Sequence, residues 1–259
     1  EYSGFNRDFE RLSSTSEQIN RGECHTTLYR HIPSGTLWTV TIRHYPKYNA
    51  LEWQAEIYAP EKTGIFSDIR YQLNVPGTHG RLLGNYGDEG GGYKEFDFSL
   101  DNERVYQEAE TGRPTHYVFP YYRLETDQNK ITTVLSWQGA WFSQFEQAAD
   151  EVNISMGQKN ICAYLEKGEG FRLPLMLIQE YHSDPANAWR RFYIDCNMPL
   201  VKGERVKPLL AAFNGVCAGL NNDIVRRVKE TYDAHGIDYD SGGLTQAGVP
   251  TEQAHIASR

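Results

Sequence analysis

The chain has 259 residues, with 39% hydrophobic side chains, 13% aromatic side chains and a formal net charge of -8. This composition is typical of a globular protein with one large domain or two modest ones, and it excludes a mainly disordered chain. The acidic balance gives no electrostatic basis for binding the phosphates of nucleic acids. The sequence shows no apolar run of membrane-spanning length and no signal-peptide pattern at its start. We therefore expect neither nucleic-acid nor membrane partners.

Four cysteines, Cys24, Cys162, Cys196 and Cys217, lie far apart in the sequence. Because no C-x-x-C pair occurs, a zinc or redox site is not predicted. Two disulfides and four reduced thiols both remain open, and the ample core favours reduced, mostly buried thiols. The histidines show neither H-x-x-x-H nor H-E-x-x-H spacing, so we predict no metal site and no cofactor.

Two strands joined by a tight turn are predicted early in the chain. Apolar and polar residues alternate over 37–42 and again over 51–58. Period-two alternation is the pattern of a half-buried strand. The intervening HYPKYNA contains Pro46 and Asn49, which are good turn residues, so the two strands predict a hairpin.

Further strand candidates follow at short intervals, separated by stretches rich in glycine, proline and asparagine. The candidates are the segments 68–75, 92–100, 116–126, 131–137, 140–145, 161–166 and 171–181. Many strands without an intervening helix indicate an antiparallel β-sandwich. We predict a β-domain that spans residues 1–182.

Helical spacing replaces strand alternation after that domain. Asp184 is positioned to cap a helix and Pro185 to occupy its first turn. Apolar residues then recur at helical spacing as far as Cys196. We predict a helical linker over residues 183–207.

The last segment, 208–259, is predicted to begin a βα unit. PLLAAF is a candidate buried strand, NNDIVRRVKETYDAHG a capped helix and IDYD a further strand. Since an eight-stranded barrel needs about 200 to 250 residues, we expect an incomplete barrel here, followed by a loose polar tail. The helix carries an apolar stripe of Ile224, Val228 and Tyr232. We expect this segment to pack back on the sandwich or to form a homo-oligomer.

The order of these features resembles the N-terminal part of glycoside hydrolase family 36, the α-galactosidase family and its relatives. The similarity covers most of residues 30 to 240. Six stretches carry it in the family's order: NALEWQAEIYAP, FSDIRYQLNV, RLLGNYGDEGGGYKEFDFSL, GRPTHYVFPYYRLE, LSWQGAWFSQFE and EGFRLPLMLIQEYHSDPANAWRRFYIDCNMP. The resemblance implies a mainly β fold, with an antiparallel, galactose-mutarotase-like β-supersandwich before a helical linker and the start of a (β/α)8 barrel. The family's W-P-G-Q-W stretch occurs here as W-Q-G-A-W, so two interior positions differ.

The resemblance does not supply a catalytic site. Retaining glycosidases use two carboxyl groups about 5 Å apart, and the family carries both as aspartates on later barrel strands. The Asp-Ala-Gly-Trp signature of its first barrel strand is matched here only in part, by Asp238, Tyr239 and Asp240. We therefore assign no catalytic residue and expect no hydrolysis of α-galactosides by this chain.

The stretch LSWQGAWFSQFE is a candidate surface for stacking on sugar rings. On a strand, Trp137 and Trp141 share one side, and the neighbouring Gln138 offers hydrogen-bonding groups. Gly139 is a candidate bulge that re-aims part of the strand. The alternative is that both tryptophans belong to the core of the sandwich, where aromatic residues dominate burial.

Two further groups are sugar-binding candidates. Asp88 stands in the glycine-rich GNYGDEGGGY, where its carboxylate would accept hydrogen bonds from paired hydroxyls; the alternative is a flexible loop with solvated charges. That loop lacks the Lys-Ser/Thr ending of a phosphate-binding loop. In GRPTHYVFPYYR, Arg113, His116 and Tyr121 combine groups that suit polyol binding. Their alternative role is to cover the edge of the sandwich.

Three functions remain open at this point. The first is a carbohydrate-active β-supersandwich, the N-terminal region of an α-galactosidase-like glycoside hydrolase, non-catalytic in this chain. The second is a small mutarotase-like sugar epimerase, with His116 and Glu180 in the acid and base roles. The third is a non-enzymatic assembly or sugar-binding module with an aromatic surface. The resemblance favours the first, with a galactose-containing glycan as the ligand.

Overall fold

The computed structural model describes residues 8–67, 69–87, 91–101, 103–110, 113–198 and 200–205, and the pairs 211–212, 226–227, 230–231, 233–234 and 238–239. The chain divides into two compact units, of which the first ends at Asn197 and the second begins at Met198. No helix within these ranges is long and apolar enough to cross a membrane. The described cysteines, Cys24, Cys162 and Cys196, are free thiols.

The first unit consists of antiparallel strands followed by one helix. Its elements are β1 (Phe9–Ile19), β2 (Gly22–His31), β3 (Leu37–Tyr45), β4 (Ala50–Tyr58), β5 (Arg70–Pro76), β6 (Arg81–Tyr86), β7 (Glu95–Ser99), β8 (Arg104–Ala109), β9 (Val118–Glu125), β10 (Lys130–Ser136), β11 (Trp141–Ala148), β12 (Glu151–Gln158), β13 (Gly170–Arg172), β14 (Leu175–Glu180) and α1 (Pro185–Phe192).

The strands form two sheets of unequal width. The larger sheet has ten strands, in the order β1-β2-β3-β4-β14-β10-β9-β6-β7, with β13 also paired to β4. The smaller sheet has four strands, in the order β5-β12-β11-β8. The predicted mainly β, antiparallel sandwich is confirmed.

The β3–β4 hairpin sets the register in the middle of the larger sheet. Ile42 lies opposite Trp53, and Tyr45 lies opposite Ala50. A 3-10 turn over Pro46–Tyr48 joins the strands, and Asn49 closes it in the left-handed conformation, with φ 47°. Asparagine tolerates this conformation better than most residues. The hairpin predicted from alternation is confirmed.

The core lies between the inner faces of the two sheets. Tyr122 of the larger sheet meets Phe145 of the smaller one, with ring centroids 4.9 Å apart. Trp53 and Tyr71 form a second such pair, 4.8 Å apart. The largest fully buried side chains include Trp141, Tyr122, Phe145, Ile57, Leu82, Leu124, Leu135, Ile154 and Met176. Aromatic pairs of this geometry add to the stability gained from buried area alone.

Helix α1 covers part of the outer face of the larger sheet. It begins as predicted, because the Asp184 carboxylate accepts a hydrogen bond from the backbone N–H of Asn187 at 3.0 Å and proline occupies the first turn. Phe192 is fully buried. Its ring lies 5.1 Å from that of Tyr45 and 5.8 Å from that of Tyr48. The helix is therefore anchored on the residues that flank the β3–β4 turn.

A hydrogen-bonded carboxylate ties the residues after α1 to the same face. Glu52 is 4% exposed. It accepts hydrogen bonds from the Tyr45 hydroxyl at 3.3 Å and from the Asn197 side-chain amide at 2.8 Å, and Arg43 lies 3.6 Å away. Burial, together with the nearby Glu52 charge, raises the pKa of Tyr45 well above its ordinary value. This arrangement satisfies a buried charge that would otherwise be costly.

Two strand predictions are wrong in detail. Residues 161–166 form a loop that makes a single bridge, between Phe66 and Ala163. Beside this bridge, the Leu165 N–H donates to the Thr63 hydroxyl at 2.9 Å and the Leu165 carbonyl accepts from the Thr63 N–H at 2.9 Å. The candidate strand 171–181 is split into β13 and β14. Pro174 lies at the break and lacks the N–H that a continuous ladder needs.

The second unit contains a short hairpin and a parallel strand pair. The hairpin joins β15 (Leu200–Val201) and β16 (Glu204–Arg205), and the parallel pair joins β17 (Ala211–Ala212) and β18 (Asp238–Tyr239). Residues 226–227, 230–231 and 233–234 are helical. The described residues of this segment follow a strand, helix, strand order, and parallel strands are usually joined by a helical crossover. The stripe residues Ile224, Val228 and Tyr232 lie outside the described residues.

Replacing Phe192 with alanine should lower the free energy of unfolding by about 3–5 kcal/mol, because the truncation leaves a cavity among packed rings. The Tyr193→Ala variant is the matched control, since Tyr193 is the next residue and is 49% exposed. It should change stability by about 0.5 kcal/mol or less. Urea unfolding followed by circular dichroism measures both. Equal losses in the two variants would contradict the anchoring role of Phe192.

Candidate functional site

An open cleft lies on the inner face of the larger sheet, over β2, β3 and β4. Four strands cannot cover ten, so part of this face extends beyond the smaller sheet. The cleft has a volume of about 430 Å³. This is within the range of about 300–1,000 Å³ that is typical of small-molecule sites. Its lining consists of Glu23, His25, Thr27, Tyr29, Val40, Ile42, His44, Leu51 and Trp53.

The strand register brings these residues onto one face. On β2 they occupy every second position, which is the period of one face of a strand. Glu23 lies directly opposite His44 on β3, and His44 in turn lies opposite Leu51 on β4. His25 lies opposite Ile42, which pairs with Trp53. The cleft is therefore a product of three adjacent strands and the two ladders that join them.

A glutamate stands between two histidines on one wall of the cleft. Glu23 Oε1 lies 3.2 Å from His44 Nδ1. Glu23 Oε2 lies 3.6 Å from His25 Nε2. An ionised carboxylate only accepts hydrogen bonds, so the His44 imidazole donates from Nδ1. That bond selects the tautomer in which His44 Nε2 carries a lone pair.

The edge strand β1 holds the second histidine. Ser16 lies opposite His25, and its Oγ is 2.8 Å from His25 Nδ1. Next to this pair, the hydroxyls of Ser14 and Thr27 are 3.0 Å apart. Polar groups on β1 therefore fix the side chains that project from β2.

Aromatic and apolar side chains form the rest of the cleft lining. Trp53 is partly buried and rests edge-to-face against Tyr71 of the smaller sheet. Tyr29 is also partly buried and packs against the core. A ligand in the cleft would thus meet both aromatic rings and hydrogen-bonding groups.

The electrostatics of the cleft centre on Glu23. The hydrogen bond from His44 lowers the pKa of this carboxyl below its usual range, and the nearby His25 acts in the same direction, while partial desolvation opposes them. The carboxylate is therefore the stable form at neutral pH. No group of three or more histidine, cysteine or acidic side chains in the described residues has a geometry that could hold a metal ion.

The two candidate tryptophans lie elsewhere. Trp141 is fully buried, and its indole N–H donates to the carbonyl of Pro114 at 2.8 Å. Trp141 is therefore a core residue, and the prediction that its ring stacks on a sugar is wrong. Trp137 is partly buried, and its ring lies so close to Gly139 that a side chain there would come within 2.5 Å of it. Gly139 thus makes room for a ring instead of marking a bulge.

The remaining candidates are spread over both faces. His116 is 4% exposed, and its Nε2 is 3.2 Å from an Nη of Arg113. Tyr121 lies on the outer face, where its ring is 5.5 Å from that of Trp189 on α1. Asp88 lies outside the described residues. Arg113 and His116 are thus brought together, but Tyr121 is not part of their group.

The pairing of His116 with Glu180 in a proton-transfer site is wrong. His116 precedes the first residue of β9, whereas Glu180 pairs with Ile131 beside the last residues of that strand. An eight-residue strand spans about 25 Å, so the two side chains cannot act on one small molecule.

None of the nine cleft residues was predicted from the sequence to be a site residue. In GECHTTLY the cleft-facing Glu23, His25 and Thr27 are polar, and the residues between them are polar or small. Because the two faces of β2 do not differ in polarity, the sequence shows no alternation of polar and apolar residues here. The usable signal was the placement of acid and imidazole at i and i+2, which share one face of a strand.

The fold and the cleft together define an open-faced β-supersandwich. It is similar to the family 36 α-galactosidase AgaA from Geobacillus stearothermophilus, with a TM-score of 0.69 and 15% identity over 91% of this chain and 37% of that chain. AgaB from the same organism is similar with a TM-score of 0.66 and 15% identity, over 90% of this chain and 36% of that chain. The α-galactosidase from Lactobacillus brevis is similar with a TM-score of 0.63 and 14% identity, over 89% of this chain and 35% of that chain. The resemblance predicted from the sequence is confirmed for the fold.

The length of these similar structures limits what the similarity shows about this chain. This chain spans little more than a third of their length. Other structures of AgaA are complexes with raffinose and with stachyose. No protein-family model matches the chain. No curated protein matches it either.

The carboxyl of Glu23 should titrate below the ordinary glutamate value, and His44→Asn should raise its midpoint. Because folding lowers the pKa of Glu23, the Glu23–His44 pair stabilises the folded chain at pH values above the pKa of Glu23 in the unfolded chain. This stabilisation is lost as the pH falls through the lowered pKa of Glu23 in the folded chain. Carboxyl carbon NMR measures the midpoint. His79→Asn is the matched control, because His79 forms a 3.0 Å pair with Asp101 away from the cleft. An unchanged Glu23 midpoint in His44→Asn would contradict the assignment.

Proposed function

We propose that this chain is the saccharide-binding sandwich region of an α-galactosidase-like glycoside hydrolase. The observation that carries the proposal is the cleft over β2, β3 and β4. Its lining combines the aromatic rings of Trp53 and Tyr29 with the polar groups of Glu23, His25 and His44. The proposal assigns binding, and not hydrolysis, to the described residues.

The two kinds of side chain in the cleft match the two kinds of surface on a pyranose ring. The C–H face of a sugar is apolar and packs on an aromatic ring, and its rim of hydroxyls needs hydrogen-bond partners. A carboxylate accepts from two hydroxyls at once, and charged acceptors form the stronger bonds. Sites of this kind are mostly apolar with a few placed polar groups. The cleft has both components within three strands.

The charge of the cleft favours a neutral sugar. No lysine or arginine occurs among its nine lining residues, and Glu23 is the one carboxylate. Phosphate and carboxylate groups are usually bound by arginine, lysine or helix N-termini. A phosphorylated sugar or a uronic acid would be repelled here, whereas a neutral oligosaccharide would not.

The fold supports galactosides as the class of ligand. AgaA, which has a similar fold over 91% of this chain, forms complexes with raffinose and stachyose. Both oligosaccharides end in an α-linked galactose. We therefore assign α-galactosyl oligosaccharides as the ligands. A homo-oligomer through residues 208–259, and sugar contacts by Trp137, Arg113, His116, Tyr121 or Asp88, remain separate proposals.

Raffinose and stachyose should bind the full chain, and Trp53→Ala should weaken binding about tenfold or more, since loss of a stacked ring costs on the order of 1.4 kcal/mol. Isothermal titration calorimetry, or chemical-shift changes on titration, measures the affinity. Trp53→Phe keeps a ring against Tyr71 and should have an intermediate affinity.

Tyr164→Ala is the control for loss of an exposed aromatic ring. Tyr164 is 51% exposed and lies in the loop 161–166, away from the cleft. It should bind raffinose as the unmodified chain does. Circular dichroism melting establishes that the Trp53 variants are folded. Unchanged affinity in folded Trp53→Ala would remove the cleft as the sugar site.

A further inference from the structure

We propose that the cleft interconverts the anomers of a reducing aldohexopyranose, with His44 as the group that moves the proton and Glu23 as its positioning residue. This inference rests on the proposed function, because it needs a sugar in the cleft. It adds an activity, since binding of an oligosaccharide requires no proton transfer.

The geometry around His44 is that of an oriented base. Glu23 Oε1 holds Nδ1 at 3.2 Å. The hydrogen bond fixes the ring and leaves the lone pair on Nε2, the arrangement in which a carboxylate prepares an imidazole to accept a proton. His44 is part of the lining of the cleft and is 44% exposed at its side chain. A substrate hydroxyl can therefore reach the ring.

The reaction needs no co-reactant. His44 Nε2 removes the proton from the anomeric O1, the O1–H electron pair becomes the second C1–O1 bond, and the C1–O5 pair leaves with O5. The imidazolium then gives the same proton to O5, which yields the open aldehyde. O1 and O5 are both attached to C1, so one nitrogen serves both. Rotation about C1–C2 turns the other face of the aldehyde towards O5. The reverse proton transfers then close the ring as the other anomer.

The neighbouring groups support this role. His25 lies on the other side of Glu23 at 3.6 Å and is held by Ser16 at 2.8 Å. The titratable groups that line the cleft are Glu23, His25, His44 and Tyr29. Transfer requires a neutral His44 and an ionised Glu23. The rate should therefore fall as the solution becomes acidic.

The experiment follows the conversion of freshly dissolved α-galactose and α-glucose to their β anomers by NMR, with the full chain at several concentrations. The chain should raise the rate above that of buffer in proportion to its concentration. His44→Asn should reduce this increment by about 100-fold or more, the lower end of the contribution of general acid–base catalysis. Glu23→Gln should lower the maximal rate more than it changes KM, because an amide permits the wrong tautomer.

His79→Asn is the matched control, since His79 is a surface histidine paired with Asp101 and lies outside the cleft. It should keep the full increment. Methyl α-galactoside has no anomeric hydroxyl, so it should bind without reacting and should inhibit competitively. Melting curves establish that each variant is folded.

Two results would overturn the inference: no increment above buffer, or a folded His44→Asn variant with the full increment. Binding of methyl α-galactoside separates the two proposals. If it binds and weakens with Trp53→Ala while no anomer conversion is seen, the proposed function stands and the activity does not exist. If methyl α-galactoside, raffinose and stachyose all fail to bind, the proposed function fails as well.

Discussion

The register of β2, β3 and β4 is the constraint on which both faces of the larger sheet depend. A shift of one residue would exchange the inner and outer side chains of a strand. Two features hold the register. Asn49 closes the β3–β4 turn, and its carbonyl accepts a hydrogen bond from the Glu180 N–H on β14 at 2.9 Å. At the start of β2, any side chain in place of Gly22 would lie 2.2 Å from the carbonyl oxygen of His44, so only glycine lets the two strands meet there.

The outer face reinforces the same three strands. Glu52 lies on β4 between Leu51 and Trp53, with its carboxylate on the opposite face from the cleft. By accepting from Tyr45 and from Asn197, Glu52 links the last residue of β3 to the residues that follow α1. Packing of α1 on this turn therefore stabilises the hairpin from behind. The cleft is held by burial and hydrogen bonding on the face that it does not occupy.

Much of the fold could be predicted where one local pattern decided the outcome. Alternation identified β3 and β4, and Asp184 followed by proline identified the start of α1. β1 was not identified because nearly all of its residues are exposed on both faces of the strand, so polar and apolar residues do not alternate along it. The cleft was not predicted, since Glu23 and His44 meet only through cross-strand register. The tryptophans of LSWQGAWFSQFE were conspicuous in the sequence, but the burial of Trp141 is set by which sheet β11 joins.

The unequal width of the sheets explains why a polar cleft can exist on an inner face at all. An uncovered inner face made only of apolar residues would leave a costly exposed patch. Here Glu23 with His44, Ser16 with His25, and Ser14 with Thr27 form polar pairs across β1, β2 and β3. Each pair satisfies its own hydrogen bonds while it stays accessible to water. Apolar Ile42 and Trp53 lie beside them on the next ladder. The polar pairs that keep the open edge of the sandwich hydrated therefore also produce the mixed polar and aromatic surface on which the proposed binding of a neutral sugar rests.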